Sequence, residues 1–420
     1  MRRTTCLALA ALTLLAPSAR AGTPMWVPTF VAENGTNTYA DSVAAGTAVV
    51  VLGGSNVVVS SDFGTTWTPL SPLAAPPNGG SSETRVALSS PTRWFAANGS
   101  AVSLTNDAGT TWRPQRVGGV TGPISKSFEW ATDIGAADGA PSAAVGWSGA
   151  RIRGLCPWAL EFTPVFSTRD RGSTWRRTDL PVTGDITSVE WLDAKHAALV
   201  VTELEWSEPE MSGDGSECTS KGTWVANSVW TTADGGVSWR QAMRTTEWYA
   251  VAAWSTPTSL AVVVESKGVA HALVSSDSGR TFRAGPQIYA NPGGFNGFPT
   301  LEFVTGRRGW VGAILGGVHR TDSGGSEWVH EASPADGAFY GVPHLTAMTR
   351  DRAVFAGPSA VVTRMGEAPA APSSSLSASS GSAGLPAPLT SMVRVGAVSR
   401  TLTLPPLGPP TAVLRVASGA

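Results

Sequence analysis

Residues 60–67, Ser60-Ser61-Asp62-Phe63-Gly64-Thr65-Thr66-Trp67, follow the valine run Val57-Val58-Val59 and return in altered form along the chain. The pattern Ser/Thr-x-Asp-x-Gly-x-Thr/Ser-aromatic recurs at 105–112, 168–175, 232–239 and 275–282. A degenerate copy, Thr321-Asp322-Ser323-Gly324-Gly325-Ser326-Glu327-Trp328, reads as carrying one extra residue before its tryptophan. With Asp322 taken as its aspartate, Asp62, Asp107, Asp170, Asp234, Asp277 and Asp322 stand 45, 63, 64, 43 and 45 residues apart. A period near 45 holds four strands of about five or six residues with their connections. Each unit suits a turn between strands: the aspartate accepts N–H bonds across the bend, the glycine takes positive φ and the tryptophan opens the next strand.

On these boxes the sequence resembles the Asp-box (BNR-repeat) β-propellers, a superfamily that includes sialidases, sortilin-type receptors, xyloglucanases and photosystem II assembly and stability factors. The sixth unit, Gly309-Trp310-Val311-Gly312-Ala313 leading to its box, is closest in style to the photosystem assembly-factor repeat. The resemblance covers residues 22–365 and implies an all-β fold, with function left to whatever site the fold carries. Six boxes mark six blades. Three further strands, at 344–348, 352–356 and 360–364, need a fourth, and Thr23-Pro24-Met25-Trp26-Val27-Pro28 echoes the segment after the box glycines, as in Thr65-Thr66-Trp67-Thr68-Pro69. The expectation is a single seven-bladed propeller of four-stranded antiparallel blades, closed by the N-terminal strand, which protects sheet edges.

Composition agrees with this class. Forty-seven glycines and 30 prolines among 420 residues suit many turns and few long helices. Arg2 and Arg3 precede a largely apolar run over 6–16, and Ala19-Arg20-Ala21 supplies a small-x-small cleavage site, so residues 1–21 read as a signal peptide. The run is too short to span a membrane. Losing Arg2, Arg3 and Arg20 takes the formal charge from −1 to −4, against the cationic footprint of a nucleic-acid binder. Residues 366–390 read as an Ala/Pro/Ser-rich linker, and 391–420 as a C-terminal tail with alternation at 392–404 and 412–416. The mature protein is expected to be secreted or periplasmic, and monomeric.

The two enlarged periods place extra residues at about 148–164 and 203–224, between the second and third strands of adjacent blades, on the face opposite the boxes. One insertion carries Cys156 and the other Cys218, the two cysteines left after export, and a disulfide between them is expected. The same segments carry Trp158, Phe162, Trp206 and Trp224, and residues 203–217 hold Glu203, Glu205, Glu208, Glu210, Asp214 and Glu217 without a base. Trp158, Phe162, Trp206, Trp224, Glu205, Glu208 and Glu210 are the candidate ligand-binding residues, read as one aromatic, acidic ridge; the competing reading makes the tryptophans pins and the acids a solvated surface. Ser-Phe-Glu129-Trp, Ser-Val-Glu190-Trp and Thr-Leu-Glu302-Phe repeat on the first strands, so Glu129, Glu190 and Glu302 are weak catalytic candidates around the central channel. No metal-ligand spacing links the five histidines, and no cofactor motif is present.

Sialidases of the superfamily place an arginine before the first box, but residues 22–61 contain no Arg or Lys. Xyloglucanases build their cleft between two propellers, and this chain has length for one. The expected function is therefore an exported, non-catalytic propeller that binds a protein or glycan through the long segments opposite the boxes. The alternative is a divergent glycoside hydrolase of the sialidase type.

Overall fold

The computed structural model describes residues 25–31, 41–53, 56–70, 85–98, 101–115, 117, 127–153, 156–159, 162–207, 210–211, 218–219, 222–247, 249–290, 299–313, 317–331, 344–356, 360–365, 390–395 and 398–403. Residues 1–21, expected to be a signal peptide, and the alternation at 412–416 lie outside them. The chain divides into two compact units, Met1–Ala370 and Ala371–Ala420. No helix among the described residues is long and apolar enough to cross a membrane.

The first unit is a seven-bladed β-propeller. After β1 (Met25–Val31), blade 1 comprises β2 (Asp41–Ala45), β3 (Ala48–Gly53), β4 (Asn56–Ser60) and β5 (Thr68–Leu70). Blade 2 holds β6 (Arg85–Leu88), β7 (Trp94–Asn98), β8 (Ala101–Thr105) and β9 (Arg113–Gln115). Blade 3 has β10 (Ser127–Ala136), β11 (Ala143–Arg153), β12 (Cys156–Ala159), β13 (Thr163–Thr168) and β14 (Arg176–Leu180). Blade 4 has β15 (Gly184–Trp191), β16 (Ala197–Trp206), β17 (Glu210–Met211), β18 (Cys218–Thr219), β19 (Gly222–Thr232) and β20 (Arg240–Thr245). Blade 5 runs through β21 (Tyr249–Thr256), β22 (Ser259–Ser266), β23 (Val269–Ser275) and β24 (Arg283–Ala290), and blade 6 through β25 (Thr300–Phe303), β26 (Gly309–Ala313), β27 (Gly317–Thr321) and β28 (Val329–Glu331). Blade 7 is β29 (His344–Thr349), β30 (Arg352–Ala356) and β31 (Ala360–Met365), completed by β1 in the order β1-β31-β30-β29.

Both faces of each blade meet a neighbour, which is why the second strands read as continuous apolar runs, such as Val49-Val50-Val51-Leu52 and Ala197 to Val201, rather than alternating ones. Residues of opposite parity go to opposite seams. Val50 and Leu52 pack with Val86 and Trp94 of blade 2, whereas Val49 and Val51 pack with Val354 and Val361 of blade 7. Among the described residues each of the seven seams has its own buried apolar cluster.

The boxes are hairpin locks between third and fourth strands. In the first, the Ser60 hydroxyl accepts from the Gly64 amide (2.8 Å), while Asp62 accepts from the Thr66 amide (2.8 Å) and hydroxyl (2.7 Å). Two successive residues take positive φ in each turn, Phe63 (58°) and Gly64 (74°) here. A Cβ on Gly64 would sit 2.8 Å from Val354, so the glycine also admits blade 7 to close contact.

The sixth box is a correction. Its register is regular, with no extra residue: Gly325 donates to the Thr321 hydroxyl (3.0 Å), Glu327 N–H donates to Ser323 Oγ (2.7 Å) and Trp328 Nε1 donates to the Gly325 carbonyl (3.0 Å). Ser323, not Asp322, therefore occupies the aspartate position. Asp322 points to guanidiniums instead, accepting from Arg320 at 3.1 Å and from Arg308.

Closure by β1 reproduces a box blade without a box. Val27 and Pro28 pair with Thr363 and Val362, as Thr68 and Pro69 pair with Val59 and Val58, so Trp26 stands where a box tryptophan would. Lacking a box glycine carbonyl, its Nε1 donates to Glu331 of blade 6 at 3.3 Å. Arg364 makes a two-pronged bond to the same carboxylate (2.9 and 3.1 Å), and Arg320 adds another.

The second unit contains one described hairpin, β32 (Thr390–Val395) with β33 (Val398–Thr403). The alternating run at 392–404 thus holds two strands, one ending at Val395 and the other opening at Val398.

Candidate functional site

Box turns and first-to-second turns share one face, as the Phe63 amide donating to the Thr47 carbonyl shows. The opposite face carries both insertions, and they continue strands of the blades as β-structure. In blade 3, β11 runs on to Arg153 and folds back through β12, with β10 accompanying it from Ser127. In blade 4, β16 and β19 stay paired out to Trp206 and Gly222, beyond which β17 and β18 form a second short pair. The backbones of β12 and β18 approach each other, so the strands bearing Cys156 and Cys218 are neighbours. The side chains of Cys156, Trp158, Glu210 and Cys218, and the whole of Glu208, lie outside the described residues.

The expected ridge is divided. Even-numbered residues of β16 face blade 5, since Ala198 and Val200 pack with Ala250 and Val262. Odd-numbered ones face blade 3, since Leu199 and Val201 pack with Val165 and Leu180. Leu204 and Trp206 continue the first set, and register pairs them with Trp224 and Gly222; the Trp206 indole lies 3.4 Å from where a Gly222 Cβ would be. Glu203 and Glu205 continue the second set. Trp206 and Trp224 therefore share an apolar face turned towards blade 5, while Glu203 and Glu205 face the blade 3 hairpin. The period-two alternation Glu203-Leu204-Glu205-Trp206 carried this signal in the sequence. Phe162 is elsewhere, with the Arg177 guanidinium 5.3 Å from its ring centroid.

Trp206 is 37% exposed and Glu205 is exposed, whereas Glu203 is 6% exposed at the root of the hairpin. Glu203 Oε2 accepts from Arg244 Nε at 2.8 Å, and Oε1 has no hydrogen-bond partner among the described residues. The buried Nε1 of Trp224 has none there either. On the blade 5 face, Thr202 donates to Asn227 Oδ1 (3.0 Å) and the Asn227 amide donates to the Glu247 carbonyl (2.8 Å), fixing the hairpin base.

The channel holds a cavity of about 400 Å³ at its box end, lined by residues of all seven innermost strands. Among the described residues its acids are Asp133, Asp138, Glu190 and Glu302, and no Lys, Arg or His lines it. The three channel glutamates do not form one constellation. Glu190 and Glu302 occupy equivalent positions, one residue before their strands end at Trp191 and Phe303. The same position in blade 3 is Gly135, so Glu129 lies six residues back, about 20 Å along the strand, on the part of β10 that pairs with the extended β11. Glu302 accepts from the Ala347 amide of blade 7 at 2.5 Å, a seam bond. Among the described residues no group of three or more His, Cys, Asp or Glu is placed to hold a metal ion.

No family model and no curated protein matches the chain. Among solved structures it is similar to YCF48 bound to D1 peptide, at 14% identity and a TM-score of 0.52 over 83% of this chain and 98% of that one. It is also similar to YCF48 from Cyanidioschyzon merolae (13%, TM-score 0.49, 81% and 98%) and to the phage phi92 endosialidase (10%, 0.42, 94% and 77%). At these identities the likeness is one of fold alone.

Proposed function

We propose that the protein is exported by its leader and acts as a non-catalytic scaffold that binds a protein ligand on the blade 5 side of the β16–β19 hairpin. One observation carries this reading. Among the described residues Trp206 and Val329 are the large apolar side chains left exposed, and Trp206 sits with Leu204 and Trp224 on one face of a hairpin that outruns its blade. An exposed indole with a flat apolar floor is what binding anchors are made of. The similar structure of YCF48 is a propeller that holds a peptide, which supports a protein ligand over a sugar. The seam bond of Glu302 and the displacement of Glu129 support a non-catalytic channel.

The test is capture of ligands by residues 22–420 on peptide and glycan arrays in parallel, repeated with Trp206→Ala. The expected outcome is peptide capture that weakens by about 2 kcal/mol in the variant, with an unchanged melting temperature. Capture of glycans alone would replace the ligand class, and turnover of an aryl glycoside would replace the scaffold with a hydrolase.

A further inference from the structure

We infer that the partner binds this hairpin as an added β-strand, an extended polypeptide segment that pairs with the outer edge of β19 at Gly222 and Trp224 and lays alternate side chains on the Trp206 indole. The inference rests on the reading of the hairpin as a docking surface and names how its partner is held.

β20 pairs with β19 from Arg240 opposite Thr231 to Thr245 opposite Asn227, and the chain then turns away to enter β21 at Tyr249. β19 itself extends to Gly222, and over this stretch it is paired with β16 alone. The Leu204 amide donates to the Thr183 carbonyl at 2.8 Å, so the backbone groups of Leu204, and with them those of Trp206, point away from β19. Their register partners Trp224 and Gly222 therefore stand at non-hydrogen-bonded positions and turn their own N–H and C=O groups outward. Among the described residues no backbone group takes these up. An extended polypeptide carries a donor and an acceptor on each non-proline residue, so it meets all of them by strand addition. The added strand occupies the side of β19 that β20 already uses and carries that ladder beyond Thr245.

The side-chain pocket lies at the same edge. Three atoms of the Trp206 ring, Cε2, Cη2 and Cζ2, lie 3.4 Å from where a Gly222 Cβ would be, so the indole covers the glycine. The ring is over one-third exposed. A residue placed opposite Gly222 projects from the same face and lands beside that ring, where an aromatic or β-branched side chain packs well.

This edge is also bare. Residues 222–226, Gly-Thr-Trp-Val-Ala, hold no charge and no proline, Lys221 being the next charged residue along the chain. The bulge at Val225 ends the β20 ladder without covering Gly222 or Trp224. Outermost strands elsewhere carry devices that blunt an edge: proline in β1, β5, β9 and β24 (Pro28, Pro69, Pro114 and Pro286), arginine in β14 and β20, and a length of three residues in β28.

The experiment is selection of random twelve-residue peptides, displayed on phage, against residues 22–420, with Trp206→Ala as counter-selection. A selected synthetic peptide is then methylated on its backbone nitrogen at each position in turn. The expected result is a period of two, with binding about tenfold weaker at alternate amides and near the parent strength between them. Gly222→Pro removes an outward N–H without touching the β16 pairing and should also cost about tenfold. Gly222→Ala keeps that N–H, and its Cβ would meet the indole at an ordinary 3.4 Å, so it should bind within about twofold of the parent. Should Gly222→Pro melt early, the methylation scan decides. A scan without alternation would overturn the inference while leaving the docking surface in place, because side chains alone would then hold the partner. A chain that dimerises by itself in sedimentation, and loses the dimer in Gly222→Pro, would put a second copy on the edge and overturn it too. Failure to select any Trp206-dependent peptide would overturn the docking surface itself.

Discussion

Asp107 gathers three donors onto one exposed carboxylate: the Thr105 hydroxyl at 2.7 Å, the Thr111 amide at 2.8 Å and the Thr111 hydroxyl at 2.6 Å. The Thr111 bonds, then that of Thr105, hold its pKa at about 2, below the ordinary 3.8. Asp277 is held low in the same way by Thr281 and Ser275. At Asp62, Asp170 and Asp234 burial pushes upward, but the corresponding bonds outweigh it. A depressed carboxyl binds fewer protons folded than unfolded, so its stabilisation is complete above the unfolded value and lost as pH falls through the folded one. The melting temperature should therefore be flat between about pH 7 and 5 and fall as pH drops from about 4 towards 2. Asp107→Asn removes one titrating group and should make that fall shallower; scanning calorimetry across the series checks it, and a flat profile to pH 2 would contradict the lock chemistry. The sixth box contributes nothing to this titration at its aspartate position, because Ser323 stands there.

At the scale of elements, β1 is held by more than its ladder to β31. Glu331 at the end of β28 is 7% exposed and Arg364 of β31 is 2% exposed, and both reach Trp26 or its neighbourhood across the seam between blades 6 and 7. Burial alone would raise the Glu331 carboxyl, but Arg364 and Arg320 hold it below its ordinary value. Removing Arg364 leaves the buried Glu331 carboxylate to Arg320 alone, so Arg364→Met should destabilise by up to about 3 kcal/mol. Arg364→Met/Glu331→Leu, which removes both charges, should recover much of that loss. Denaturant unfolding of the two variants checks this. A double variant as unstable as the single one would show that the seam depends on the Arg364 stem and the Trp310 ring beneath it, 5.7 Å from the guanidinium, rather than on charge.

For the whole molecule, the two insertions reach across the seam between blades 3 and 4 through β12 and β18. A bond between Cys156 and Cys218 would close a loop of 62 positions and stabilise by about 4 kcal/mol on the chain-entropy model. Mass spectrometry of unreduced, alkylated protein should find these residues in one linked peptide pair, and reduction should lower the melting temperature. Two alkylated thiols would leave the hairpins independent.

Blade number, strand order and the closing role of Met25-Trp26-Val27-Pro28 were legible in the chain because they follow from local chemistry. A box turn needs its own hydroxyl, carboxylate and glycine at fixed offsets, whatever surrounds it. The extra residue read into the sixth box shows the limit of that rule. Asp322 was chosen by residue type, and only the fold shows it drawn off by Arg308 and Arg320, which come from elsewhere in blade 6. The candidate site divides the same way. The sequence determined which segments are long and where their aromatics and acids lie, while the tertiary structure decided which of them face one another. The parity of β16 against blades 3 and 5 sent Trp206 and Glu205 to opposite sides, and the lengthening of β10 carried Glu129 away from Glu190 and Glu302. A strand has two faces and no preference between them until neighbouring sheets supply a core, so facing is a property of the packed ring and not of any segment within it.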